Sequence, residues 1–530
     1  MLFQSYIFIL LFFPLCLLGF WGLKRQKLLQ LWRFSPQKLL QLWLIAFSLW
    51  FYGAASPYYL LLLLGSIAWN YAFFRAIERG IGRVTERVSG SAMERAEYGM
   101  ECDSSRKRLL LGIGIAGNLA LLCFFKYFNA ISAGWSQMKG LEDPILQLAL
   151  PLGISFFTFQ QIGFLADAYK GEVGACSLRE YVLFVSFFPY VSSGPIVNAQ
   201  EMLPQYRQIG RQRLDWAKFS GGLYLFALGL SKKVLLADTF GKAVDAGYGN
   251  VAGLSGTDAW LVMLFYTLQL YFDFSGYCDM GRGIAHMLGM ELPVNFDSPY
   301  KASNIIEFWK RWHITLNRFL RKYVYIPLGG NRKGTARMYL NLFIVFLVSG
   351  IWHGAGWNFV LWGALHGILY MLTRAWQKKY AKKTADRETG AKKAAGRAVH
   401  VLCVALTFLF LNFTWMLFRS ADLTEAGNFI SRLLGGGFTA PAEQIVSVFN
   451  LEEFWYIIKI LHLDRLPGSE LYLCIGFIAV GLWLVFFARN AAEREKSFEP
   501  NGKNMFVTAF LMIWCVVSLS GVSSFLYYRF

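Results

Sequence analysis

Apolar residues in this chain gather in long, nearly unbroken runs instead of alternating with polar ones. The runs fall near residues 3–23, 40–53, 57–78, 109–133, 148–169, 217–240, 258–287, 339–352, 357–376, 401–419, 471–488 and 505–525. Roughly 20 apolar residues carry a helix across a bilayer, whereas barrel strands alternate over about ten. The pattern therefore predicts an all-α polytopic membrane protein with about twelve transmembrane helices. Two stretches differ. Residues 178–195 are interrupted by proline, and 304–326 carry many charges. Both read as re-entrant or interfacial pieces, because irregular backbone is tolerated at depth only inside protein or along a cavity.

Composition sharpens this picture. The chain is 56% hydrophobic and only 16% charged, against about 25% charged in soluble proteins. The net charge is +19. In a membrane protein Lys and Arg mark cytoplasmic loops, so segments 24–38, 75–108 and 377–397 are placed inside, the last within a basic loop 377–400. Twelve crossings then put both termini, and the 420–470 segment, outside. Topology alone accounts for the charge; a basic inner face would also attract anionic lipid or a polyanionic donor. No nucleic-acid partner is implied. The first stretch lacks the basic start and cleavage site of a signal peptide and reads as a retained helix. The eight cysteines fall mostly within apolar runs and form no CxxC pair, so neither a disulfide framework nor a metal site is expected. Nothing outside the apolar runs is large enough to hold its own core, and residues 1–530 read as one membrane domain.

Three stretches carry chemistry. Residues 291–334 read ELPVNFDSPYKASNIIEFWKRWHITLNRFLRKYVYIPLGGNRKG. Phe308, Trp312, Leu316 and Phe319 share one face at helical spacing, so an amphipathic helix is predicted, ending at the PLGGN turn. Residues 339–370 place His353 in an otherwise apolar run, between glycines and tryptophans. A neutral imidazole there can act as a general base, or it can bond across helices as a structural residue. Residues 271–283, YFDFSGYCDMGRG, hold Asp273, Asp279 and Arg282, which face lipid only at high cost. Asp279 and Arg282 are spaced to pair along the helix. Of the other histidines, His286 and His366 read first as packing residues, and His400 and His462 as solvated ones.

The motifs YFDFSGYCDMGRG (271–283), NFDSPYKASNIIEFWKRWHITLNRFLRKYVYIPLGGNRKG (295–334) and SGIWHGAGWNFVLWGALHG (349–367) resemble the membrane-bound O-acyltransferases, specifically their bacterial alginate O-acetyltransferase branch. The resemblance implies helices tilted around a tunnel, with 271–376 as the signature region. It implies His353 as the catalytic residue and His313 as the second signature position. The donor would be a cytoplasmic thioester, acetyl-CoA, with no tightly bound cofactor. The acceptor would be a polysaccharide outside the bacterial cytoplasmic membrane, reached with an extracytoplasmic partner transferase. A cousin branch moves D-alanine from a carrier protein towards teichoic acid. A non-catalytic transporter or scaffold is the alternative from another class. His313, or the indole of Trp352 or Trp357, could donate to the developing oxyanion. Arg311, Arg318, Arg321 and Lys322 could bind the coenzyme's phosphates or simply set topology. Trp309, Trp312, Asn331 and Asn358 complete the donor and tunnel candidates.

The chain closes on SSFLYYRF, residues 523–530. The tail resembles an aromatic pattern linked to acyl relay in the D-alanine system. Two readings stand open: Tyr527, or its neighbour Tyr528, relays the acyl group outward, or the aromatics anchor the chain end at the membrane interface.

Overall fold

The computed structural model describes residues 1–25, 35–88, 93–139, 148–211, 213–380, 390–450, 455–460, 462, 468–521 and 526. Residues 26–34, the centre of the basic loop at 381–389, and Tyr527 and Tyr528 lie outside the described residues. Among the described residues every regular element is helical. Seven helices there are long and apolar enough to cross a membrane: Ile7–Lys24, Pro57–Arg79, Ser105–Ser136, Trp216–Tyr248, Thr335–His353, Gly396–Arg419 and Ser469–Phe486. The chain is a polytopic all-α membrane protein. The remaining apolar runs also form helices but differ in length, charge or mean hydropathy. Ile154–Tyr169 and Gly502–Val517 have 16 residues each, and Gly256–Met287 carries Asp258, Asp273, Asp279 and Arg282.

The chain divides into two compact units. The first comprises Met1–Phe219 and Ile284–Pro293. Its long helices Pro57–Val88 and Met93–Met138 are tied by a reciprocal amide pair, Asn70 Nδ2 to Asn118 Oδ1 at 3.0 Å and Asn118 Nδ2 to Asn70 Oδ1 at 2.6 Å. Small polar groups hold helices together in this way where lipid offers no hydrogen bonds. The proline-broken stretch forms only a nine-residue helix, Leu178–Ser186. At 1.5 Å per residue that is about 14 Å, too short for a hydrocarbon core of about 30 Å. The buried, irregular chain after it is satisfied from inside: the Tyr190 hydroxyl reaches Phe184 O at 2.5 Å and the Tyr206 hydroxyl at 2.9 Å.

The second unit comprises Ser220–Gly283 and Val294–Phe530. Helix Trp216–Ser231 runs through a π-helical turn, Lys232–Ala237, into Asp238–Tyr248. It packs backbone to backbone on Gly256–Met287: a Cβ on Gly229 would meet Gly276 O at 2.6 Å. That close approach leaves Lys232, Lys233 and the acidic residues of the longer helix to find one another. Asp279 and Arg282 do approach, at 3.9 Å, but each has a nearer partner: Lys232 for Asp279 at 2.6 Å, and Glu495 for Arg282.

Candidate active site

The stretch expected as one amphipathic helix folds as two. Ile305–Arg311 starts at Asn304, whose side chain accepts from Glu307 N at 3.0 Å. Trp312 is extended and His313 is left-handed at φ 44, and a second helix, Ile314–Leu320, follows. A left-handed backbone is unfavourable for a residue with a side chain, so the surroundings must impose it. Asn295 does so. Its main-chain oxygen accepts from Ile314 N at 3.0 Å, and its Oδ1 accepts from Thr315 N at 3.1 Å and Thr315 Oγ1 at 2.9 Å. Asn317 closes the break from the other side by donating to the oxygens of Trp309 and Trp312.

The same contacts set the tautomer of His313. Its Nδ1 lies 3.2 Å from Asn295 Oδ1. A main-chain N–H can only donate, so the atom facing Thr315 N is the amide oxygen, and an oxygen meets an imidazole only through N–H. Nδ1 therefore carries a proton, and because burial holds the imidazole well below its ordinary pKa the ring stays neutral and Nε2 keeps the lone pair. In this form the free edge of His313 presents an acceptor, whereas an oxyanion calls for a donor.

His353 ends the helix Thr335–His353. That helix packs closely on Trp357–Tyr380, since a Cβ on Gly350 would meet Phe359 O at 2.3 Å and one on Gly363 would meet Phe346 O at 2.5 Å. The glycines of the motif thus make room for a tight hairpin. The imidazole is 4% exposed and packs among Trp352, Phe418 and Trp362 at centroid distances of 4.7, 5.0 and 5.3 Å. His313 lies 6.4 Å from Trp352, so this indole sits next to both histidine rings.

A third imidazole explains how the rings are held. Trp309 Nε1 donates to His366 Nδ1 at 3.2 Å. An indole N–H only donates, so His366 is protonated on Nε2, which meets Thr414 Oγ1 at 3.1 Å; Thr414 in turn donates to Leu411 O. His366 is a fully partnered neutral residue that fixes Trp309 against Trp362, 5.8 Å away. Trp312 packs on Trp415 at 5.0 Å.

The structure therefore brings His313, His353, Trp309, Trp312 and Trp352 into one aromatic cluster. Other sequence candidates lie elsewhere. Trp357 is 74% exposed. Asn358 donates to Leu417 O and Ser420 O at 3.2 and 2.7 Å and serves as a tie between helices. Arg311 pairs with Glu307 at 2.6 Å. Arg318, Arg321 and Lys322 follow on the second helix and its π-helical continuation, with Arg321 exposed and Lys322 over the Tyr323 ring at 5.3 Å. Asn331 is exposed and accepts from the Tyr325 hydroxyl. Asn295, Trp362 and Trp415 were missed by sequence reasoning. NFDSP gives no spacing that predicts a bond to His313, and a tryptophan in an apolar run looks like any core residue. A cavity of ≈ 790 Å³ in the same unit is lined by Lys232, Tyr271, Trp514 and Ser518, among others; neither His313 nor His353 is among the described residues lining it.

Two buried histidines beside a donor-only indole, in a cluster closed by aromatic rings, suit group transfer away from water. The comparisons with known proteins define the class. The membrane-bound O-acyltransferase family model matches residues 106–418, and the chain belongs to that family and is a membrane-bound acyltransferase. It is 38% identical over 460 residues to a peptidoglycan O-acetyltransferase of Helicobacter pylori, covering 82% of this chain and 80% of that protein. It is 35% identical over 445 residues to a probable alginate O-acetylase of Pseudomonas putida, covering 83% of this chain and 80% of that one. It is also 30% identical to a teichoic acid D-alanyltransferase of Streptococcus thermophilus, over 50% of this chain and 69% of that protein.

Proposed function

We propose that this protein O-acetylates a cell-surface polysaccharide of the alginate or peptidoglycan kind, drawing the acetyl group from acetyl-CoA on the cytoplasmic side of the bacterial inner membrane. The observation that carries the reading is the buried His353, boxed by Trp352, Trp362 and Phe418. A thioester needs a base, a donor for the oxyanion and exclusion of water. His353 takes the proton from the attacking hydroxyl. A C–O bond forms, the C–S bond breaks, and the thiolate leaves to regain a proton. With His313 an acceptor and Trp357 exposed, the Trp352 indole is the oxyanion donor best supported. The attacking hydroxyl is that of Tyr527, whose aryl ester remains activated because a phenol has a pKa near about 10; a partner transferase outside then passes the acetyl group to the polymer. O-acetylation is favoured over D-alanyl transfer because the relatives named for it align over 82 and 83% of this chain, against 50% for the D-alanyltransferase.

The test is mass spectrometry of the C-terminal peptide after incubation of purified protein with acetyl-CoA, beside His353→Ala. An acetyl group on Tyr527 that disappears in the variant is expected, with surface acetylation falling by a factor of about 10² to 10⁴, the usual contribution of a general base. Surface acetylation that survives His353→Ala would refute the assignment of the base.

A further inference from the structure

The helix Gly256–Met287 buries a carboxylate that the chemistry around His353 does not use. Asp273 is 1% exposed, and its Oδ1 lies 2.6 Å from Lys233 Nζ. Lys233, 2% exposed, also donates to Asp238 Oδ1 at 2.8 Å. Lys233 thus bridges the two carboxylates, and buried charge is tolerated only when it is paired and hydrogen-bonded. One further donor comes from far along the chain. The main-chain N–H of Leu526 donates to Asp273 Oδ2 at 2.9 Å, and the Leu526 side chain is buried. A tail serving only as an interfacial anchor has no use for a carboxylate midway along a 32-residue helix.

We propose that Lys233 and Asp273 form a receptor for the chain's own C-terminal segment, positioning residues that fix the register in which Tyr527 is offered for acylation. The proposal rests on the relay reading above. Register follows from the kind of bond. A carboxylate oxygen captures one particular main-chain amide, that of Leu526, so a slip of one residue removes that amide from the bond. Location follows from the helix turn that carries the receptor. On that turn Phe274 packs edge-on against His313 at 4.8 Å, and Tyr271 lies 6.5 Å from Trp312. A helix with its side chains is about 10–12 Å across, so the tail anchor on Asp273 and the support of His313 on Phe274 lie within about one helix diameter of each other. Asp238 also lines the ≈ 790 Å³ cavity, with Tyr271, Phe272 and Ser518, and this gives the receptor an adjoining space able to admit an acyl-bearing side chain.

Leu526→Pro removes the amide hydrogen and leaves the buried charges untouched; Leu526→Met keeps the hydrogen. Asp273→Ala removes the acceptor. Hydrogen–deuterium exchange of the C-terminal peptide is measured on full-length protein in nanodiscs. Wild type and Leu526→Met are expected to exchange at least tenfold more slowly in the tail than Leu526→Pro and Asp273→Ala. Acetylation of Tyr527 from acetyl-CoA falls at least tenfold in Leu526→Pro through its rate, with KM for acetyl-CoA within twofold, and returns in Leu526→Met. Equal tail exchange in wild type and Leu526→Pro would overturn the receptor, even if Asp273→Ala fails to fold. A protected wild-type tail that never takes an acetyl group leaves the receptor standing and overturns the relay instead.

Discussion

The cluster around His353 and the triad of Lys233, Asp238 and Asp273 bury polar groups by opposite means. In the first, the polar atoms belong to neutral imidazoles and indoles, and the bonds run from Trp309 to His366 to Thr414 and from His313 to Asn295. In the second, formal charges meet at 2.6 and 2.8 Å with side chains 1 to 4% exposed. The difference separates a site suited to changing protonation from one suited to holding still. A neutral imidazole can take a proton for the lifetime of an intermediate. A triad of fixed charges cannot lose one member without leaving another uncompensated, and so it suits a lock.

Breaking the lock is expected to have the largest effect. Lys233→Met keeps the volume and removes the cation that Asp238 and Asp273 share, a loss of about 3–5 kcal/mol, read as a large fall in thermal midpoint in detergent; a midpoint like wild type would mean that the triad holds no net charge worth compensating. Next comes Asn295→Ala, which strips the acceptor from Thr315 N, Thr315 Oγ1 and His313 Nδ1 together. Losing a buried acceptor costs about 1–3 kcal/mol per bond; expressed as loosening of the His313 and Trp352 pair, about 1.4 kcal/mol corresponds to a tenfold loss of acetyl transfer. Transfer that is unchanged in a folded Asn295→Ala would show that the placement of His313 does not govern turnover. Trp309→Phe is smaller. It deletes one neutral hydrogen bond to His366, about 1 kcal/mol of stability, and should lower turnover only as far as the ring cluster loosens.

How much of this could be read from the chain depended on whether a feature was periodic. Membrane helices and the glycine-flanked His353 were visible because apolar length and an isolated imidazole are local signals. The break at His313 was not. Phe308, Trp312, Leu316 and Phe319 keep helical spacing across it, and the force that breaks the helix comes from Asn295, 18 residues away. The tail's anchor was hidden for a similar reason. A main-chain amide has no signature in sequence, and Leu526 lies 253 residues from Asp273. Trp357 and Asn358 follow His353 closely in sequence, but closeness across a helix end says little about direction: one is exposed and the other ties two helices.

Glu307 lies between the two extremes and gives the finest test. It stands outside the seven spans, in a seven-residue helix beside the His313 break. Burial pushes its carboxyl up, but Ser303 N and Oγ at 2.9 Å each, with Arg311 at 2.6 Å, outweigh burial and hold it below the ordinary carboxylate value. A group with a depressed folded pKa contributes stability above its unfolded value, about 4.3 for glutamate, and loses it as the pH falls through the folded one. The wild-type thermal midpoint should therefore drop as the pH is lowered from about 5 to about 3, and Glu307→Gln should show a shallower drop over the same window. An equal slope in the variant would assign the acid sensitivity to other carboxylates. A shallower slope accompanied by slower acetyl transfer at neutral pH would show that the cap supports the geometry of His313, because a pair at the protein's margin would then be acting through the helix break on the neutral cluster.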